Sequence, residues 1–400
     1  MVPARPLPLM LALVVIAGCG GGGGGGNHQN ETAKSTSEPS REPVVSKRAD
    51  DPEPAKDLGI PGLATKNTTR VGGPDPVADA AGVAQAVYPG RSRDTRPGAV
   101  TLVDGKDWRA AISAAQLMSR PLRSPLLLSD GDKLPDATKS ALDALGPTGA
   151  EKAGKAQVIR IGATAKPEGL RSSDVEGKDA PALAQAIDRL HTAAAGSPSR
   201  AVVVAPSSAP QFAMPAAGWA AKAGDPVLWA ARDSLPAATK AAITAHRRPR
   251  IYVLGPASVI SDKVLKQLGE LGTTRRVAAP EPVANAIAFA RFTDGNFGWN
   301  AVDPGHGLVF ANTKRTVDAA AAAPLSASGT YGPLLLVTEP DVLPKPVENY
   351  LLDIQPGYHT DPVRGVYNHG WVIGDESALS VDVQSRIDAL LEIEPVQPAS

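Results

Sequence analysis

Short apolar runs without polar alternation recur along the chain from about position 68 onward. "AVTLVDG" around Val100, "AVVVAPS" around Val202 and "GLVFANT" around Leu308 form one set. "AQVIRIGATA", "PRIYVLGPAS" and "HGWVIGDESA" form another, each run ending at a glycine: Gly162, Gly255 and Gly374. A strand that is apolar at every position is one buried on both faces, as in a parallel sheet covered by helices. Helices are predicted at "PVADAAGVA" near Val77, "ALAQAIDRL" near Leu183 and "PVANAIAFA" near Val283. Further helices follow three Leu-Pro pairs, which set Pro135, Pro236 and Pro344 in the first helical turn, where a missing N–H costs nothing. Asp104, Ser129, Asp233 and Ser261 stand where caps would help.

The pattern repeats. "SPLLLSDGDKLPDATKSALDAL", "DPVLWAARDSLPAATKAAITAH" and "GPLLLVTEPDVLPKPVENYLLDI" align from Pro125, Pro226 and Pro333. Together with the other runs they give three copies of helix, strand, helix, strand, helix, strand. Alternating strands and helices imply parallel sheets with helices on both faces. The expected fold is therefore α/β: three tandem Rossmann-like repeats in a pseudo-threefold arrangement. The expected boundaries are 67–168, 169–271 and 272–394, with a short tail at 395–400.

These repeats resemble the cell wall-binding repeat 2 family, whose members carry three tandem Rossmann-like units on surface proteins of Gram-positive bacteria. The third copy, "HGWVIGDESALSVDVQSRIDALLEI", and "IYVLGPASVISDKVLKQLGEL" carry the resemblance best. The family's paired glycine stands here as Gly162-Ala163, Gly255-Pro256 and Gly374-Asp375. Its Asp-Ala pair survives as Asp318-Ala319, loosely as Asp107-Trp108, and is lost around Met214. The chain thus resembles a divergent member. The resemblance implies non-covalent attachment to envelope glycopolymer, with no catalytic role for the repeats.

The N-terminus reads differently. Arg5 precedes an apolar stretch from Leu9 to Ile16, too short to span a bilayer. Ile16-Ala17-Gly18-Cys19 resembles the lipobox of bacterial lipoproteins, which implies a signal peptide over 1–18 and a diacylglyceryl group on Cys19. Two or three acyl chains at roughly 0.8 kcal/mol per buried CH2 would hold such a protein firmly on a membrane. Gly20 to Gly26 and the polar, Pro-rich run after them cannot bury apolar surface, so 19–66 is expected to be a disordered stalk. It would span on the order of 40 Å. The glycines satisfy G-x-G-x-x-G trivially, but no strand precedes them and no helix follows. The implied location is the outer face of the cytoplasmic membrane, facing the wall.

Charge narrows the partners. The 41 basic and 41 acidic residues balance, so no bulk field draws the chain to nucleic acid. A single cysteine excludes an internal disulfide framework. The sequence has no G-x-S-x-G and no P-loop. None of the six histidines shows metal-site spacing, although His359, Asp361 and His369 share one loop-rich stretch. No catalytic residue, metal or cofactor is expected.

Open α/β sheets bind ligands outside the carboxyl ends of their strands. Lys106, Trp108, Lys133, Lys166, Arg232, Lys314 and Arg315 lie in the loops there, and spaced cations with one aromatic face would suit an anionic glycopolymer. The cluster His246-Arg247-Arg248-Pro249-Arg250 precedes a strand and reads as a solvated loop. In "GNFGWN", Phe297 and Trp299 are expected to cover a seam between repeats. The expected protein is a lipid-anchored, wall-polymer-binding envelope protein. A solute-binding lipoprotein, an envelope scaffold and a cryptic hydrolase are the competing readings.

Overall fold

The computed structural model describes residues 64–396. The expected signal peptide, Cys19 and the stalk as far as 63 lie outside the described residues, as do 397–400.

The chain enters through β1 (Thr68–Val71) and α1 (Pro76–Val87), and then builds three comparable units. The first holds β2 (Val100–Asp104), α2 (Trp108–Ala114), β3 (Leu126–Ser129), α3 (Asp136–Leu145), β4 (Val158–Ile161) and β5 (Ser172–Val175). After α4 (Ala180–Ala195) the second holds β6 (Ala201–Pro206), α5 (Pro210–Ala213), α6 (Pro215–Ala223), β7 (Val227–Ala230), α7 (Ala237–Ala245), β8 (Arg250–Leu254), α8 (Asp262–Leu271) and β9 (Thr273–Val277). After α9 (Pro282–Arg291) the third holds β10 (Gly307–Asn312), α10 (Asp318–Ala321), α11 (Ala323–Ala327), β11 (Leu334–Val337) and α12 (Lys345–Asp353). It closes with β12 (Gly357–Tyr358), β13 (His369–Ile373), α13 (Val381–Leu390) and β14 (Glu394–Pro395).

Three four-stranded sheets result, ordered β3-β2-β4-β5, β7-β6-β8-β9 and β11-β10-β13-β1, and every pairing within them is parallel. The α/β class and parallel sheets are as the sequence pattern predicts. The fourth strand of each sheet is not. β5 and β9 lie beyond the repeat that supplies the other three strands, and the third sheet takes its fourth strand, β1, from the start of the described chain. The reason is physical: β5 ("SSDV") and β9 ("TTRRV") are edge strands with exposed polar positions and lack the apolar run of a strand buried on both faces. Described structure also precedes the expected boundary at 67. Thr65 and Asn67 bond Asp388 on α13, and Lys66 pairs with Glu392.

The helices that follow the first strand of each unit converge on one another. α2 with the 3-10 turn 115–118, α5 and α6, and α10 and α11 pack into a shared hub. Their buried faces are rich in alanine, for example Ala111, Ala114, Ala217, Ala220, Ala319 and Ala322. Small side chains let the helices approach closely. At Gly218 a Cβ would come within 2.7 Å of the Ser326 hydroxyl oxygen, so glycine sets the spacing of α6 against α11.

The Leu-Pro motif acquires a structural meaning. Pro135, Pro236 and Pro344 occupy the capping position itself, one residue before the first turn. Thr138 and Thr239 then donate their hydroxyls to the Leu128 and Trp229 carbonyls, both at 2.6 Å, tying each helix to the strand before it. Val347 takes the equivalent place in the third unit and is fully buried. Of the expected caps, Ser261 occupies the capping position of α8 without a side-chain bond, and Asp104 bonds the Lys106 amide in a turn. Helix-capping side-chain bonds come instead from Asp75, Asp107, Asp179 and Ser380.

Candidate functional site

Charged and polar side chains gather in three places: the loops at the carboxyl edges of the strands, the junctions between units, and the open grooves.

At the carboxyl edges the expected cations are present but mostly paired. Lys106 bonds Asp130 at 2.7 Å and Lys314 bonds Glu339 at 2.6 Å, at corresponding positions of the first and third sheets. Arg232 pairs with Asp233 at 2.7 Å and bonds the Ser258 carbonyl at 3.1 Å. The Lys106 ammonium rises above its ordinary pKa through its bond to Asp130, and the Asp130 carboxyl falls. Exposed pairs of this kind leave little net field. Lys133 and Lys166 are exposed and have no ion-pair partner among the described residues. Lys133 closes a tight turn by bonding Asp130 through the backbone in both directions.

Two of the expected residues do other work. Trp108 stands edge-on to Trp229 at 5.3 Å, and the Arg109 guanidinium lies 4.4 Å over its ring. It seals the junction of the first two units and offers no free face to a sugar. Arg315 is not a rim cation either. Only 14% of its side chain is exposed, and it bonds both Asp79 on α1 and Asp318 on α10, whose side chains are fully buried.

This carboxylate–guanidinium cluster closes the ring between the third unit and the entering chain. Asp79 also accepts the Gly73 amide at 2.7 Å. Burial raises the Asp318 carboxyl to about 6, against the pull of Arg315. Burial and the neighbouring Asp318 charge push Asp79 well up. Two carboxyls raised in this way could serve acid–base chemistry, but neither reaches solvent. The cluster holds units together. It had a sequence signal: in the aligned "PVADA" and "PVANA", Asp79 matches Asn285, which bonds the Ala279 amide as Asp79 bonds Gly73.

The junction of the first and second units holds a second buried network. His246 bonds Asp188 at 2.8 Å and the Ser199 carbonyl at 2.8 Å. Asp188 also accepts from Gln116. Burial opposes charge on His246, yet the Asp188 carboxylate outweighs it and its pKa rises. His246 is therefore not part of a solvated loop, although Arg247, Arg248 and Arg250 beside it are exposed. Nearby, Ser119 Oγ lies 2.8 Å from His191 Nε2. That oxygen donates to the Gln116 carbonyl, and Nε2 also faces the Arg120 carbonyl at 3.1 Å. The imidazole thus donates to the hydroxyl, the reverse of what an activated serine needs.

Around the second and third units the seam is aromatic, as the sequence predicts. Phe297 stacks on Tyr252 at 3.4 Å, and Trp219 meets Phe297 at 4.9 Å and Trp299 at 5.4 Å. Among the described residues no group of three His, Cys, Asp or Glu side chains is set to hold a metal ion, at His359, Asp361 and His369 or elsewhere. No described helix is long and apolar enough to cross a membrane.

A groove of about 820 Å³ lies on the first unit between α3 and the loop after β4. Lys166, Arg96 and Lys139 line it with Asp132, Asp143 and Glu168, over a floor that includes Leu142 and Leu170. Lys133 stands beside it between two of its lining residues. Balanced charges over an apolar floor suit the hydroxyls and ring faces of a sugar chain.

Three parallel sheets around a helical hub define the architecture, and solved structures share it. Cwp6 from Clostridium difficile superposes with a TM-score of 0.65 at 17% identity, over 82% of this chain and 49% of that one. Cwp8 from Clostridium difficile gives 0.61 at 17% identity, over 81% of this chain and 52% of that one. The chain thus spans about half the length of either protein. No family model and no curated protein sequence matches it.

Proposed function

We propose that this chain is a lipid-anchored envelope protein of a Gram-positive bacterium. In this reading its three-unit ring attaches non-covalently to anionic cell-wall glycopolymer and performs no catalysis. The observation that carries it is the architecture shared with Cwp6 and Cwp8, cell wall proteins, over about four fifths of the chain. The groove beside Lys166 supports it as the seat for sugar units, with Lys133 and Lys166 free to meet the polymer's charge. Lipid attachment rests on Ile16-Ala17-Gly18-Cys19, and would add a second anchor whose effect multiplies the first through effective concentration.

The paired rim cations favour one other reading, a lipid-held scaffold for a second envelope protein. A solute-binding lipoprotein fits less well, because such proteins close two lobes about a hinge, whereas here three sheets share one hub. Incorporation of labelled palmitate, abolished by Cys19→Ala, tests the anchor. Co-sedimentation with purified Gram-positive walls tests the ring: pelleting with walls supports polymer attachment, and a chain left wholly in the supernatant supports the scaffold.

A further inference from the structure

The hub ends in a pocket that the wall reading does not use. The hub helices start at the carboxyl edges of the sheets and run back, so the turn 115–118, α6 and α11 end together at the opposite edge. There they enclose an open cavity of about 300 Å³, lined from all three units. The first unit contributes Arg120 and Arg123, the second Lys222, and the third Ser328.

Its charge is one-sided. No carboxylate lines the cavity, and none of its three cations has an ion-pair partner among the described residues. This contrasts with the opposite edge, where Lys106, Arg232 and Lys314 are each matched by an acid. Helix carboxyl ends carry partial negative charge, on the order of half a unit for a full helix. The turn 115–118 and α11 are only 4 and 5 residues long, so these ends do not offset three full positive charges.

One of the cations is fixed at its side chain and another at its backbone. Lys222 Nζ sits 3.1 Å from the centre of the Tyr331 ring, which comes from the third unit. Arg123 has a φ of 50°, in the left-handed region that costs a non-glycine residue energy, and its carbonyl accepts from the Tyr88 hydroxyl at 2.8 Å.

We infer that this axial pocket is an anion site for a phosphate group, carried by a free phosphate or by the phosphodiester of an envelope polymer. Two guanidinium forks and one ammonium match a compact, multiply charged tetrahedral oxyanion. The site is complete only when the ring is closed, because each unit supplies part of it. It stands independently of the wall reading.

Titration calorimetry of inorganic phosphate into the full chain carrying Cys19→Ala, at constant ionic strength, tests the site. Saturable binding is expected, weakened at least tenfold by Arg120→Gln/Arg123→Gln/Lys222→Gln and unchanged by the exposed control Arg247→Gln/Arg248→Gln. Thermal melts establish that the variants fold; if the triple variant does not, Lys222→Gln alone is expected to weaken binding several-fold. Absence of saturable binding, or equal binding by the pocket variants, overturns the proposal whatever the walls do. Where binding is found, competition by phosphate-containing wall polymer marks the polymer as the source, and no competition marks free phosphate.

Discussion

Thr69 of β1 lies in parallel register with Trp371 of β13, so the first strand of the described chain completes the last sheet. The ring is therefore closed by its own two ends. Arg70, beside Thr69 and itself buried, bonds Gln384 at 3.0 Å and the carbonyls of Gly374 and Asp375 at 2.8 and 2.9 Å. Arg70→Ala removes the donor to the Gly374 and Asp375 carbonyls and a packed side chain. We expect a loss of about 2–4 kcal/mol in urea unfolding monitored by tryptophan fluorescence. A loss under about 0.5 kcal/mol would show that β1 is a dispensable edge.

The Asp79–Arg315–Asp318 cluster carries a pH signature. Asp318 titrates near 6 in the native protein and near 3.8 when unfolded, and Asp79 is raised as well. Between those values the native state holds more protons, so this cluster's contribution to stability falls as pH rises from about 4 to 6. Asp318→Asn should flatten that part of the stability profile. Arg315→Met leaves two buried carboxyls without their cation, and should cost about 3 kcal/mol at pH 7 and markedly less at pH 5, where they protonate. Chemical denaturation at the two pH values measures both, and equal losses would contradict the assignment.

The histidines should separate in an NMR titration. His246 is raised above 6.5 because Asp188 outweighs its burial, whereas burial lowers His191 and His369. The His246 contribution is full below 6.5 and lost as pH rises through its raised value. Those of His191 and His369 are full above 6.5 and lost as pH falls through their lowered values. Asp188→Asn should bring the His246 titration downward. A His246 resonance that titrates below 6.5 in the parent would contradict the ion pair.

Gly218 limits how close α6 and α11 stand. Gly218→Val inserts atoms where the Ser326 hydroxyl lies and should destabilise by about 1–3 kcal/mol. Phe297→Ala, which empties the stack on Tyr252, should cost about 3–5 kcal/mol. Melting temperatures check both, and unchanged values would mean that the hub and seam relax freely.

The sequence made the interior strands legible because burial on both faces leaves an unbroken apolar run, as in "AVVVA" and "LLL". The repeated "LP…ATK" was visible as a pattern, and only the structure shows Thr138 and Thr239 bonding back to the strand. The edge strands were missed because half-exposed positions such as Arg275 and Asp174 erase that run. The site residues were the least legible part. Position relative to a strand put Lys106, Lys314 and Arg315 in carboxyl-edge loops, but their partners, Asp130, Glu339, Asp79 and Asp318, are set by contacts between segments. Arg120, Arg123 and Lys222 have no common motif, since three units meet there by ring closure alone.

Wall attachment is tested most simply by the binding of the full chain, carrying Cys19→Ala, to purified Gram-positive cell walls before and after acid extraction of their secondary polymers, at low and high salt. Polymer attachment predicts binding to intact walls that disappears on extraction and weakens as salt rises. Equal binding to extracted walls, or none to either, would contradict it.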